Sequence, residues 1–260
     1  MKRNLFEELS EGLDNSQNLL TAPEQAKREP SSEQVSTWKV AVRPMKSPNR
    51  ETCVVSRYEV VGTEGECEPG SDGLVLANKH GITSPEDINE LEMRLLYDLY
   101  AALLFNQLPN RQLKVEDLKK WHRQWLGNVY EWAGQERSVN MSKGGFPFAA
   151  AGNLGKLLSV FEGEVLARNT PCKGMTEDEL VAAVAETHVE FILIHPFREG
   201  NGRLSRLLAD VMSAQAGFGT LDYSEWDGHK EAYIEAIHQG MSLDYAPMEN
   251  FVRQALGISQ

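Results

Sequence analysis

Apolar residues in the middle of this chain recur every three or four positions, the period of a helix packed on one side. Ile88, Leu91, Leu95, Leu99 and Leu103 form such a stripe behind Ser84, which predicts an N-cap, and Pro85, which suits the first helical position. Residues 115–126 predict a second helix ending at Gly127, with Trp121 and Trp125 four apart and assigned to the core. The spacing predicts further helices over 153–168, 177–194, 203–216, 226–239 and 247–256. Thr176 and Glu179 form a capping box ahead of 177–194. Leu180, Val184, His188 and Phe191 share one face of that helix, so His188 reads as a satisfied core histidine. Tyr223, Trp226 and Tyr233 could approach a ligand ring, but aromatic clusters in small helical domains usually belong to the core.

The helical period fails between Gly134 and Phe148. Arg137, Val139, Met141 and Lys143 alternate with Ser138, Asn140 and Ser142 and lead into Gly144-Gly145, a pattern for a strand and a short hairpin. Residues 1–72 differ from the rest. A short amphipathic helix is predicted over 4–13, a linker rich in Ser, Gln and Glu over 14–36, extended segments over 38–42 and 53–61 with a small hairpin around 47–50, and a loop over 64–73. The expected organisation is therefore an irregular extension, 1–72, followed by one all-α domain, 73–257, that carries a single hairpin.

Composition narrows the class. The chain is 41% hydrophobic and 25% charged, with a net charge of −12, so polyanions such as nucleic acid or an anionic membrane are poor partners. Cys53, Cys67 and Cys172 are odd in number and scattered, which fits a reducing compartment, and no apolar run approaches a membrane span. The expectation is a cytoplasmic protein.

The densest chemistry lies between His195 and Arg206, His-Pro-Phe-Arg-Glu-Gly-Asn-Gly-Arg-Leu-Ser-Arg. Pro196 disfavours helix at the residue before it, so His195 is expected where a helix gives out, held on one side and exposed on the other. An imidazole with a pKa near ~6.5 is largely neutral at pH 7 and can accept a proton. Gly200, Asn201 and Gly202 allow positive φ and converging amides, an anion nest at the tip of the following helix. Arg203 and Arg206, three apart, share a helix face and offer planar forks for phosphate oxygens. With Arg198 and Lys143 they make a local exception to the acidic surface. Glu199 beside a polyphosphate makes sense chiefly as a ligand of Mg²⁺. His80, His122, His229 and His238 show no partner pattern and receive no role.

This segment resembles the signature of the Fic (Fic/Doc) family, H-P-F-x-[D/E]-G-N-G-R-x-x-R, at every specified position. The wider similarity runs from about Gly73 to Leu256 and includes Tyr130-Glu131-Trp132-Ala133-Gly134 and residues 137–145. The resemblance implies an all-helical core with a hairpin flap, and a nucleotidyltransferase that moves AMP from ATP to a Ser, Thr or Tyr hydroxyl of a target protein. It makes His195 the base, Phe197 the inward anchor of the loop and Glu199 the Mg²⁺ ligand. Gly200, Asn201, Gly202, Arg203 and Arg206 become the nucleotide's phosphate ligands. Ser142, Lys143, Gly144 and Gly145 become the flap that docks the target by main-chain pairing. The family's kinase branch carries a lysine where this chain has Gly202, which argues against kinase activity.

Many family members restrain themselves through a glutamate in the pattern [S/T]-x-x-x-E-[G/N]. Here the residues four before the candidate glutamates are Glu7, Val60, Leu158 and Tyr245, none of them Ser or Thr. The nearest match, 245–250, has a proline inside the pattern. Inhibition is therefore expected from a separate small antitoxin protein that supplies the glutamate. Two other readings stay open: a non-catalytic nucleotide-binding module, and an enzyme that removes AMP or transfers another nucleotide moiety.

Overall fold

The computed structural model describes residues 59–61 and 67–258. The extension's helix over 4–13, linker over 14–36 and hairpin around 47–50 lie outside the described residues, as does most of the segment over 53–61.

In chain order, strand β1 (Glu59–Val61) precedes helices α1 (Pro85–Ala101) and α2 (Val115–Leu126). Strands β2 (Asn140–Lys143) and β3 (Phe146–Pro147) follow. Helix α3 (Leu154–Val160) continues through a wide π turn, Phe161–Leu166, to Asn169. Then come α4 (Glu177–Ile194), α5 (Asn201–Ala216), α6 (Ser224–Gly228), α7 (Lys230–Gln239) and α8 (Ala246–Ala255).

The core is built around the α4–α5 hairpin. Both helices are buried on nearly every side, and α4 packs against α5, α7 and α8. A helix that carries apolar residues all round is stable only when enclosed, which places α4 and α5 at the centre. The capping box is formed, with Glu179 N–H donating to Thr176 Oγ1 at 3.3 Å and Thr176 N–H donating to Glu179 at 2.8 Å. Ser84 likewise caps α1 by accepting from Asp87 N–H at 3.2 Å.

Several boundaries moved. The buried face of α1 is wider than the stripe: Ile88, Leu99 and Leu103 are buried and Leu91 and Leu95 half-buried, while Glu92, Leu96 and Tyr100 also face the interior. The single helix expected over 226–239 is two, because the chain turns at His229 after Gly228. Helix α5 begins at Asn201, two residues earlier than its apolar pattern.

The alternation through 137–143 is present in burial, but paired strand starts only at Asn140. Gly144 and Gly145 turn it with φ of 55° and 81°, both positive as a two-residue hairpin turn requires. The hairpin also gains a third strand. β1 pairs antiparallel with β2, Glu59 opposite Ser142 and Val61 opposite Asn140, giving the order β1-β2-β3. The outer strand β3 ends in Pro147, which has no N–H to offer a neighbour.

Candidate active site at the turn between α4 and α5

Helix α4 ends at His195, which caps it in the left-handed region at φ 50°, ψ 60° and donates its N–H to Phe191 O at 3.0 Å. Its Nδ1 lies 3.2 Å from Ile192 O. A carbonyl can only accept, so Nδ1 carries the proton and Nε2 carries the lone pair. The expected open side of the imidazole is covered. Phe148, just past β3, stacks on the ring with centroids 3.7 Å apart and planes 13° from parallel, and His195 is 3% exposed. The hairpin, remote in sequence from this turn, is what closes that side. Burial is the main reason the imidazole pKa falls to about 3. The charges of Arg137 and Lys143 push it the same way, while the bond to Ile192 O and the charge of Glu199 oppose them.

The loop then closes on itself. Asn201 accepts from Phe197 N–H at 2.9 Å and donates back to Phe197 O at 2.7 Å. Its amide side chain therefore fastens the loop rather than pointing into an anion site. Of the three residues expected to use positive φ, only Gly200 does, at 82°. A Cβ there would meet Trp125 at 2.7 Å, so backbone conformation and packing both demand glycine. Gly202 is different: a Cβ on it would find nothing within 4 Å. The space lies at the first turn of α5, where a helix leaves its leading N–H groups without intrahelical acceptors. That is room for an oxyanion.

The charged groups are held more tightly than their sequence spacing implied. Arg203 Nη1 lies 2.7 Å from Glu92 Oε2 of α1 and its Nη2 lies 3.5 Å from Glu199 Oε1, while the guanidinium sits 4.6 Å over the Trp125 ring. Arg206 Nη2 lies 2.6 Å from Asp227 Oδ1 of α6, with the Tyr223 ring 4.4 Å away. Arg203 and Arg206 thus reach acids on two different helices, α1 and α6, and both are buried, as is Arg198. Both guanidiniums expected to serve phosphate are already paired with carboxylates. Glu199 accepts from Gly200 N–H at 2.9 Å.

Residues 112–213, which include this entire turn, match the family model described as Fic/DOC family. They form a Fic domain. The chain is 28% identical over 200 residues to a probable protein adenylyltransferase, y4lH, of Sinorhizobium fredii, covering 77% of this chain and 99% of that protein. It is 28% identical over 166 residues to the protein adenylyltransferase VbhT of Bartonella schoenbuchensis, but that match covers only 34% of VbhT. Among solved structures, the Fic domain of Bep8 from a Bartonella species superposes with a TM-score of 0.59 at 22% identity, covering 70% of this chain and 90% of that one. BepC from Bartonella tribocorum, solved with AMPPNP bound, gives 0.58 at 23% identity over 71% of this chain and 93% of that one. At those identities the likeness is one of fold.

The Fic domain gathers His195, Phe197, Glu199, Gly200, Asn201, Gly202, Arg203 and Arg206 around one turn. Phe197 is buried as expected and lies flat on His122, with centroids 4.1 Å apart. In the hairpin, Gly144 and Gly145 are exposed at the tip and Ser142 is half-buried. Lys143 is buried instead of reaching outward, on the same side of the strand as Met141.

The Fic loop is also supported by His122 and Glu92, to which the sequence assigned no role, and by Trp125, which it placed only in the core. His122 accepts from Gly134 N–H at Nδ1, 2.8 Å, so its Nε2 must donate to Glu199 O at 3.0 Å. Burial holds it neutral, with a pKa near 4. Glu92 holds Arg203 and accepts from Tyr130 Oη at 2.6 Å, and Trp125 donates to Glu92 O at 2.8 Å while lying under Gly200. A carboxylate inside an apolar stripe was the available signal for Glu92. His122, between Trp121 and Trp125 on a core face, was the signal for the other half.

Proposed function

We propose that this protein is a protein adenylyltransferase, moving AMP from ATP to a Ser, Thr or Tyr hydroxyl of a target protein and releasing pyrophosphate. The observation that carries the reading is the open space over Gly202 at the tip of α5, on a loop whose first residue is a buried imidazole with an unprotonated Nε2. Related proteins are named protein adenylyltransferases, and BepC binds an ATP analogue, which supports ATP as the donor.

In this reading the amides of Gly200, Asn201 and Gly202 and the α5 N-terminus cradle the phosphates. Arg203 and Arg206 exchange carboxylate partners for phosphate oxygens. His195 Nε2 takes the proton of the acceptor hydroxyl, whose oxygen bonds to the α-phosphorus as the α–β bridging P–O bond breaks. Pyrophosphate leaves with that electron pair. Chemistry of this kind asks the protein mainly for position and charge stabilisation. Among the described residues no group of three or more His, Cys, Asp or Glu side chains could hold a metal ion. Mg²⁺ would therefore bind through Glu199 together with phosphate oxygens, neutralising charge as a Lewis acid.

The domain is assigned to 73–257 and the extension to 1–72, with the hairpin as the target-docking flap. A small antitoxin protein is the proposed inhibitor, and the cytoplasm the proposed location. No helix among the described residues is long and apolar enough to cross a membrane.

ATP labelled on the α-phosphate should leave label on protein, and ATP labelled on the γ-phosphate should not. His195→Ala should abolish transfer and preserve ATP binding. A second reading, a nucleotide-binding module without catalysis, is favoured by the covered imidazole. It predicts nucleotide binding with neither label retained.

A further inference from the structure

The last carbonyls of a helix lack intrahelical donors, and those of α4 carry the candidate base. Beyond His195 itself, which serves Ile192 O, a buried side chain from outside the helix answers the last two. Arg137, 3% exposed, donates from Nε to His195 O at 2.7 Å and from Nη2 to Ile194 O at 3.4 Å. The same guanidinium donates from Nη1 to Val139 O at 2.6 Å and from Nη2 to Ala149 O. Val139 leads into β2 and Ala149 follows β3, so these two carbonyls mark the two legs of the hairpin. Main-chain bonds run alongside: Arg137 N–H donates to Pro196 O at 2.9 Å, and Ala149 N–H to Leu193 O at 3.3 Å.

We infer that Arg137 is a positioning residue for His195, fastening the end of α4 to both legs of the hairpin so that the base and the segment over it are held as one unit. The inference rests on His195 being the base. The chemistry suits arginine alone: a planar fork can serve carbonyls in several directions, and a cation at a helix C-terminus is favoured by the dipole. Lysine keeps the charge and loses the fork. His195 also meets the charges of Lys143 from the hairpin and Glu199 from the loop, and the carbonyl of Ile192, beneath the Phe148 ring.

The full chain and its Arg137→Ala and Arg137→Lys variants separate geometry from charge. Both variants should lose about a hundredfold in the rate of label transfer from α-labelled ATP at saturation, the scale of a misplacement of about 1 Å. ATP affinity should hold. In both, the amides of Met141 to Lys143 and of His195 should exchange hydrogen faster together. NMR titration of His195 should show its midpoint raised in both variants as the loosened hairpin lets water reach the ring, and raised further in Arg137→Ala, which also removes a cation. Wild-type transfer by Arg137→Lys, or hairpin exchange unchanged in both variants, would overturn the inference. If the wild-type chain transfers no label, the adenylyltransfer reading fails separately, and exchange and titration alone decide the role of Arg137.

Discussion

Phe148 lies flat on His195, 3.7 Å between centroids, and by covering the imidazole it removes the water that would stabilise a charged ring. The same hairpin rests at its other end on α7, where Phe146 stacks on His238 at 4.2 Å. A hydroxyl reaching His195 has to displace Phe148 or slip beside it.

Phe148→Ala should therefore raise the His195 pKa from about 3 toward the ordinary imidazole value. Rehydration favours the charged form, so the shift is upward. The acid limb of the pH–rate profile, below which the base is protonated and inactive, should move to higher pH. An unchanged limb would mean that the ring exerts no such control.

Stability should fall as pH drops below the ordinary imidazole range. His122, His188 and His195 are buried with pKa values lowered to about 4, 3 and 3, chiefly by burial. Between those values and ~6.5 the unfolded chain binds more protons than the folded one, so unfolding gains roughly 1.4 kcal/mol per pH unit for each imidazole. Asp210 works the other way. Its pKa is raised to about 7 by burial, so the folded state holds a proton that the unfolded state has lost, offsetting one of the three. Urea denaturation at pH 7 and pH 5 checks the net sign.

Glu92→Ala should strip the nearer carboxylate from a guanidinium that is 2% exposed, leaving it Glu199 at 3.5 Å. Breaking a buried pair by removing one partner costs about 3–5 kcal/mol, and the remaining Glu199 places this loss at the lower end. The denaturation midpoint should drop accordingly, while removal of the more exposed Glu131 beside Lys79 should change it little.

The two glycines of the loop should part company. Gly200→Ala forces a Cβ to within 2.7 Å of Trp125 at positive φ, and the fold should lose stability. Gly202→Ala meets no neighbour within 4 Å and, in a helical turn, should stabilise by about 0.4–1 kcal/mol. Its methyl would nevertheless occupy the space proposed for the phosphates, so ATP affinity should fall in a protein of unimpaired thermal stability. Calorimetry of unfolding and of ATP binding separates the two effects.

Local pattern carried much of the architecture. The α2 boundaries, the caps at Ser84 and Thr176, the glycine turn of the hairpin and the helix ending at His195 all follow from short-range spacing and proline or glycine chemistry. The break at His229 and the earlier start of α5 were not legible, because helix limits depend on what the ends touch. The loop was legible as a set of residues and not as an arrangement: Asn201 fastens the loop, Lys143 is buried, and both arginines are paired.

By itself, then, the sequence determined most of the helical segments, where a histidine, a carboxylate and a Gly-Asn-Gly turn meet, and which family's signature they spell. Those are properties of neighbours in the chain. Tertiary structure alone decided that Phe148 covers His195, that Glu92 holds Arg203, that Asp227 holds Arg206 and that Arg137 spans hairpin and helix. Burial and charge act through space, and the partners responsible are brought together only when distant elements pack.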